Sequence, residues 1–270
     1  MLDVARARVW VGDLANHTWR PVDLGTPWDS DTGIDLLAVT ANDTQVLVVG
    51  QTLAGPAVVT DPPPEALRVG VAWVIDPVAG TAVRHQLPTA TFAPGSDGGV
   101  LAEWYNDQWV LLMPDNLQPR PTPGVLVMLT SPDGAAWTMA ELPGSMPSRW
   151  VTSLTAGPGG LLATMCGFGD DAFWLTEDAR TWAQVDIALG AHESAYADGI
   201  GYIAMYKADM SLSADGKTWE PAGQAPIQGS AEGADLSFRL AESLVASGDT
   251  LLVHNGNLWV WTQPDASLPK

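Results

Sequence analysis

Cysteine is nearly absent from this chain. Cys166 stands alone in 270 residues, so no intrachain disulfide can form. Its neighbours, Ala163-Thr164-Met165 and Gly167, mark it as a buried structural thiol rather than a reactive one. The lack of disulfides does not by itself fix the compartment. Positive charge is scarce as well. Twelve Lys and Arg face 31 Asp and Glu, a net charge of −19. Such a chain repels a phosphate backbone and an anionic lipid surface, so neither nucleic acid nor membrane insertion is expected. No run approaches the roughly 20 apolar residues of a membrane helix. Met1 to Arg6 lacks the apolar stretch of a signal peptide. The expectation is a cytoplasmic protein, or an extracellular or periplasmic one from which a leader has been removed. Histidine is sparse too: His17, His85, His192 and His254 are scattered without metal-ligand spacing. No Gly-x-Ser-x-Gly elbow and no Walker loop occurs.

What is present points to short strands and many turns. Hydrophobic residues make up 46% of the chain, with 27 Gly and 21 Pro, the composition of an all-β protein rather than a helical one. Thirteen Trp are unusual; large rings suit the wedge-shaped gaps between repeated units, each burying roughly 150–250 Å². No linker or charge run divides the sequence, so residues 1–270 read as a single domain.

Three segments repeat. Ser131-Pro132-Asp133-Gly134-Ala135-Ala136-Trp137, Thr176-Glu177-Asp178-Ala179-Arg180-Thr181-Trp182 and Ser213-Ala214-Asp215-Gly216-Lys217-Thr218-Trp219 share the pattern Ser/Thr-x-Asp-Gly/Ala-x-x-Trp between strand-like runs. Their Asp residues fall 45 and 37 residues apart. A period of about 40–50 residues with four short strands is that of a β-propeller. Asp and Ser/Thr side chains hold a tight turn through nearby backbone groups, and Gly supplies the left-handed conformation such turns need. Two degenerate copies flank these, at Val9–Trp19 and Leu258–Asp265. A hairpin without the pattern joins Ala72–Asp76 to Thr81–Arg84.

These hairpins resemble the Asp box, or BNR repeat, of sialidase-like and related propellers, in a form one residue shorter than the longer version. The second copy departs from it by carrying Ala179 in place of Gly. The resemblance covers about a quarter of the chain. It implies structural roles for Ser131, Asp133, Gly134, Trp137, Thr176, Asp178, Trp182, Ser213, Asp215, Gly216 and Trp219, and no catalytic role. Sialidase chemistry does not come with it. The arginine triad is not evident beyond Arg149 and Arg239, no Arg-Ile-Pro motif occurs, and Tyr105, Tyr196, Tyr202 and Tyr206 offer no obvious nucleophile.

Strands that precede the boxes repeat as well. They start near residues 35, 100, 150, 194 and 241, and each would line the central channel of its blade. Five four-stranded blades are therefore expected, with six as the alternative, and the ring closed by N- and C-terminal strands. That count leaves one strand too many.

Function concentrates in loops on a rigid scaffold. Two long loops, Thr52–Arg68 with Pro62-Pro63-Pro64 and Pro114–Gly124 with Pro119, Pro121 and Pro123, break the repeat and would form one wall of a face. Near the channel mouth the expected ligand contacts are Trp28, Trp104, Arg149, Trp150, His192 and Arg239. The expected carboxylates are Asp35, Glu103, Glu193 and Glu242, with ordinary water-bonded channel lining as the plainer reading. Two readings follow. One is a non-catalytic binding or scaffolding propeller that engages a protein or a glycan through the Pro-rich face. The other is a glycoside hydrolase with a central carboxylate pair. No cofactor is expected. Asp29, Asp31 and Asp35 faintly resemble a calcium loop, but the Gly falls early and no bidentate Glu follows; a solvated turn explains them better.

Overall fold

Uninterrupted apolar runs mark strands covered on both faces, and alternating or polar runs mark strands at a sheet's outer side. Both kinds recur in fixed order here. The computed structural model of the chain describes residues 8–13, 18–24, 34–53, 68–88, 100–115, 125–140, 142–143, 146, 150–166, 172–187, 193–206, 209–224, 243–247, 250–254 and 258–262. All regular structure among them is β-strand. The strands group into two compact units, Met1–Glu141 and Leu142–Lys270.

The first unit holds a hairpin of β1 (Arg8–Asp13) and β2 (Thr18–Asp23) and two four-stranded sheets. One sheet is β3 (Ile34–Ala41), β4 (Val46–Leu53), β5 (Arg68–Asp76) and β6 (Thr81–Gln86). The other is β7 (Leu101–Tyr105), β8 (Gln108–Asp115), β9 (Val125–Ser131) and β10 (Thr138–Ala140). The second unit holds β11 (Trp150–Gly157), β12 (Gly160–Cys166), β13 (Ala172–Thr176) and β14 (Trp182–Val185), then β15 (Glu193–Ala197), β16 (Gly201–Tyr206), β17 (Asp209–Ser213) and β18 (Glu220–Gln224). A three-stranded sheet of β19 (Ser243–Ser247), β20 (Thr250–His254) and β21 (Leu258–Thr262) completes it. Every sheet is an antiparallel meander in chain order, the form of a propeller blade.

The five strands expected to open blades are β3, β7, β11, β15 and β19, and each is the first strand of its sheet. The surplus persists: β1, β2 and β19 to β21 together hold one strand more than a fifth four-stranded sheet would use.

Within each unit the core lies in the seam between neighbouring sheets. In the first, Leu47, Val49, Ala72 and Val74 meet Trp109, Leu111, Val127 and Leu129. The hairpin β1–β2 lays Val9, Val11, Val22 and Leu24 on the opposite face of the same sheet, against Val48, Val71, Trp73 and Ile75; the Trp73 indole N–H donates to the Leu24 carbonyl at 3.0 Å. In the second unit, Leu162, Phe173, Leu175 and Val185 meet Tyr202 and Ala204.

The three repeated hairpins share one bonding scheme. Asp133 Oδ1 accepts from the backbone N–H of Ala135 at 2.8 Å and Ala136 at 3.0 Å, and from the Ser131 hydroxyl at 3.0 Å. Asp178 Oδ1 accepts from Arg180 N at 2.8 Å, Thr181 N at 2.6 Å and the Thr176 hydroxyl at 3.0 Å. Asp215 Oδ1 accepts from Lys217 N and Thr218 N, both at 2.8 Å, and from the Ser213 hydroxyl at 3.1 Å. The next residue turns left-handed in all three: φ is 73° at Gly134, 55° at Ala179 and 72° at Gly216. Ala179 therefore keeps the turn that its lack of Gly put in question, at a cost of roughly 1–2 kcal/mol. The plain hairpin β5–β6 uses the same clamp, with Asp76 Oδ1 accepting from Val78 N at 2.7 Å and Ala79 N at 2.8 Å.

The Trp closing the first and third patterns packs into a seam. Trp137 and Trp219 donate their indole N–H to the Gly134 and Gly216 carbonyls, at 2.9 and 3.0 Å. Trp182 instead begins β14 and is buried, with no hydrogen-bond partner for its indole nitrogen among the described residues.

The turn glycines differ in what surrounds them. A Cβ at Gly134 would lie 2.5 Å from Val74 Cγ2, a branched and confined atom, whereas one at Gly216 would lie 3.1 Å from the mobile end of Leu175. Gly134→Ala is expected to destabilise by about 2–4 kcal/mol and Gly216→Ala by about 1–2 kcal/mol, measured by urea unfolding. Equal losses would show that Val74 yields as readily as Leu175.

Candidate functional site

The opening strands β7 and β15 carry the two candidate carboxylates whose side chains are described. On β7, Ala102 and Trp104 turn into the first unit's seam. Trp104 stands edge-on to Trp109, with ring centroids 4.6 Å apart at 66°, so much of this expected ligand contact is engaged in packing. Strand alternation directs Glu103 to the other face. It is half-buried, and its Oε1 accepts from Trp104 N at 3.2 Å. Burial raises its pKa to about 7 against the opposing effect of that hydrogen bond. Glu193 opens β15 opposite Met205 and is also half-buried; burial raises its pKa to about 8. A carboxyl that keeps its proton near neutral pH has the property a general acid needs. Glu103 belongs to the first unit and Glu193 to the second.

Beside Glu193 lies a hydroxyl cluster that the sequence reading missed. Ser153 and Thr155 of β11, Thr164 of β12 and Ser194 of β15 are all buried. Ser194 Oγ lies 2.8 Å from Ser153 Oγ, 2.9 Å from Thr155 Oγ1 and 3.0 Å from Thr164 Oγ1. Thr155 also donates to the Ser194 carbonyl at 3.0 Å, and Ser194 N donates to Ser153 Oγ at 2.9 Å. One proton arrangement satisfies every contact. Ser153 and Thr164 donate to Ser194 Oγ, Ser194 donates to Thr155 Oγ1, and Thr155 donates to the carbonyl. The cluster ties the opening strands of two sheets. Its only sequence signal is the period-two spacing of Ser153 and Thr155.

A groove of about 580 Å³ opens farther out in the second unit, between the β13–β14 hairpin and Lys217 of the next repeated turn. Leu175, Ala183 and Val185 contribute apolar surface; Glu177, Asp178 and Asp186 contribute carboxylates. Lys217 Nζ and Glu177 Oε1 form an ion pair across it. Asp178 is held ionised, its pKa lowered to about 2 by the Thr181 and Arg180 N–H groups.

The remaining expected site residues cannot be brought to one place. Trp28, Asp29, Asp31, Arg149, His192, Arg239 and Glu242 lie outside the described residues, as do 54–67 and 116–124 of the Pro-rich loops. Asp35 of β3 pairs with Gln51 of β4 and Trp150 of β11 with Cys166 of β12, but the side chains of Asp35 and Trp150 lie outside what is described. Among the described residues no group of three or more His, Cys, Asp or Glu could hold a metal ion, and no helix is long and apolar enough to cross a membrane.

No family model and no curated protein matches the chain. Among solved structures, an acylaminoacyl peptidase of Pyrococcus horikoshii aligns over 97% of this chain with a TM-score of 0.57 at 13% identity, and the chain spans 42% of that protein's length. An α-L-arabinofuranosidase of Fusarium graminearum, in complex with an iminosugar inhibitor, aligns over 90% of this chain and 80% of its own, with a TM-score of 0.52 at 11% identity. Its complex with arabinobiose aligns over 88% and 76%, with a TM-score of 0.51 at 12% identity. At these identities the likeness concerns the fold alone. It agrees with an all-β, propeller-like chain.

Two outcomes follow from the buried groups. Ser194→Ala should cost about 2–4 kcal/mol, because three hydroxyls lose their common partner; a loss under about 1 kcal/mol would mean that they re-pair among themselves. The carboxylates set a pH window. Asp133, Asp178 and Asp215 have lowered pKa values, so their stabilisation is present above about pH 3.9 and is lost as pH falls through the folded values. Glu103 and Glu193 have raised values, so theirs is complete below about pH 4.3 and is lost as pH rises through 7 and 8. Thermal melts should peak on the acid side of neutrality, and Glu103→Gln with Glu193→Gln should flatten the alkaline limb. An alkaline limb unchanged in the double variant would assign it to general charge repulsion instead.

Proposed function

We propose that the chain is a non-catalytic binding propeller of the Asp-box kind, with residues 1–270 as one domain of five blades, that engages a protein or a carbohydrate. The observation that carries this reading is the ligand-sized groove between successive box hairpins, which combines apolar surface with fixed charge. The shared carboxylate clamp of Asp133, Asp178 and Asp215 supports the Asp-box assignment. These carboxylates are engaged in holding turns, which fits a structural role for the boxes. The Pro-rich loops at 52–68 and 114–124 belong to the same reading as a second contact region, because proline lowers the ordering cost of a binding loop.

The glycosidase alternative rests on Glu103 and Glu193, whose carboxyl pKa values burial pushes up to about 7 and about 8, and on the fold shared with the arabinofuranosidase.

A thermal-melt screen against oligosaccharides and peptides, with and without calcium, tests the binding reading. A ligand at about 100 times its Kd stabilises by roughly 2.7 kcal/mol. The expected result is a shift with at least one ligand, no hydrolysis of any saccharide, and the same shift in Glu103→Gln and Glu193→Gln. Hydrolysis in the parent that either substitution abolishes would establish the glycosidase instead.

A further inference from the structure

We propose that the groove along β14 receives a basic peptide: an extended segment whose Arg or Lys stem lies over Leu175, Ala183 and Val185 and whose cationic head meets Asp178 and Asp186. This deepens the binding reading above and rests on it.

Charge complementarity selects the occupant. Three carboxylates and one ammonium line the groove, and that ammonium, Lys217, is already held by Glu177. Among the described lining residues the balance of charge is therefore negative. Asp178 spends Oδ1 on the turn, while its Oδ2 accepts only from the Thr181 hydroxyl, at 3.1 Å, among the described contacts, leaving acceptor capacity for an incoming donor. Asp186 is exposed at the end of β14. An anion would be repelled. A compact inorganic cation gains nothing from apolar surface, and among the described residues no three carboxylates stand close enough together to hold one. A long basic side chain has both required parts, an apolar stem and a charged head.

The edge beside the groove suits a peptide backbone. Among the described residues β14 ends its sheet with no strand paired to its outer edge, and the N–H and C=O groups of such an edge suit an added strand. Ala183 and Gln184 are exposed there, and the small Ala183 side chain leaves the groove unfilled. The net charge of −19 steers a basic partner towards the chain from a distance.

The test is fluorescence anisotropy with a labelled peptide alternating Arg and Val, and a counterpart carrying Glu for Arg, against the full chain at about 0.15 M salt. The Arg peptide should bind and the Glu peptide should not. Asp186→Lys should weaken binding at least about tenfold, and Ala183→Trp, which fills the groove without changing charge, should do the same. Asp43→Lys, an equal charge change at the exposed β3–β4 turn, should weaken it less than about twofold. Melting curves establish that each variant is folded. Equal losses in Asp186→Lys and Asp43→Lys would reduce the attraction to net charge and overturn the groove. So would unchanged affinity in Ala183→Trp. Absence of Arg-peptide binding also overturns it, while a ligand found in the melt screen would leave the broader binding reading standing.

Discussion

One carboxylate oxygen, clamping the two N–H groups that lie two and three residues ahead of it, sets the geometry on which the sheets depend. In the three repeated hairpins, where a Ser or Thr hydroxyl joins the clamp, the residue after Asp lies in the left-handed region, at Gly134, Ala179 and Gly216 alike. That turn drives the backbone of Gly134 against Val74, Leu47 and Trp109, and that of Gly216 against Leu175 and Tyr202. It also reverses the chain so that the closing Trp reaches the seam, where Trp219 lies 6.5 Å from both Phe173 and Tyr202. Without the clamp, the last strand of a sheet and the wedge between sheets would lose their alignment together.

The seams use two kinds of contact. Their outer parts are filled by rings and aliphatic side chains, which are non-directional and tolerate variation, as the different placement of Trp182 illustrates. Near the opening strands β11 and β15 the contact is directional: Ser153, Thr155, Thr164 and Ser194 form a closed set of hydrogen bonds with one consistent proton order. Small hydroxyl side chains let these strands approach closely, and full satisfaction of their polar atoms offsets the burial. Tyr202 adds a bond from its hydroxyl to the Gly160 carbonyl at 2.5 Å, so the same pair of sheets is pinned farther along.

Legibility in the sequence followed locality. The repeated hairpins were readable because clamp, turn and Trp lie within seven residues, and the opening strands because a repeated register needs no knowledge of contacts. The clamp at Asp76 was missed because it lacks the neighbouring hydroxyl and the Trp, although the carboxylate alone suffices. Ala179 departs from the Gly of the other two copies, yet its backbone takes the same left-handed turn. The hydroxyl cluster joins residues 30 to 41 positions apart and left no signal beyond a two-residue spacing. Trp104 read as a ligand contact from its place on an opening strand, but alternation turns it into the seam beside Trp109. The groove was invisible because it arises from something small: the short β14, with an alanine where a larger side chain would close the seam.

The acidity of the chain divides by role once the turns are understood. Asp76, Asp133, Asp178 and Asp215 serve the hairpins, since only an acceptor-rich short side chain can hold two successive N–H groups. Repeating the fold therefore repeats the charge, and part of the excess of acid over base is a consequence of architecture. Glu103 and Glu193 stand apart: burial opposes their ionisation, and neither holds a turn. The groove joins the two economies, because Asp178 is both a clamp and a wall. Its turn fixes the carboxylate in place before any ligand arrives, so an incoming cation meets an oriented acceptor, and a structural repeat becomes a surface on which recognition can be built without new scaffolding.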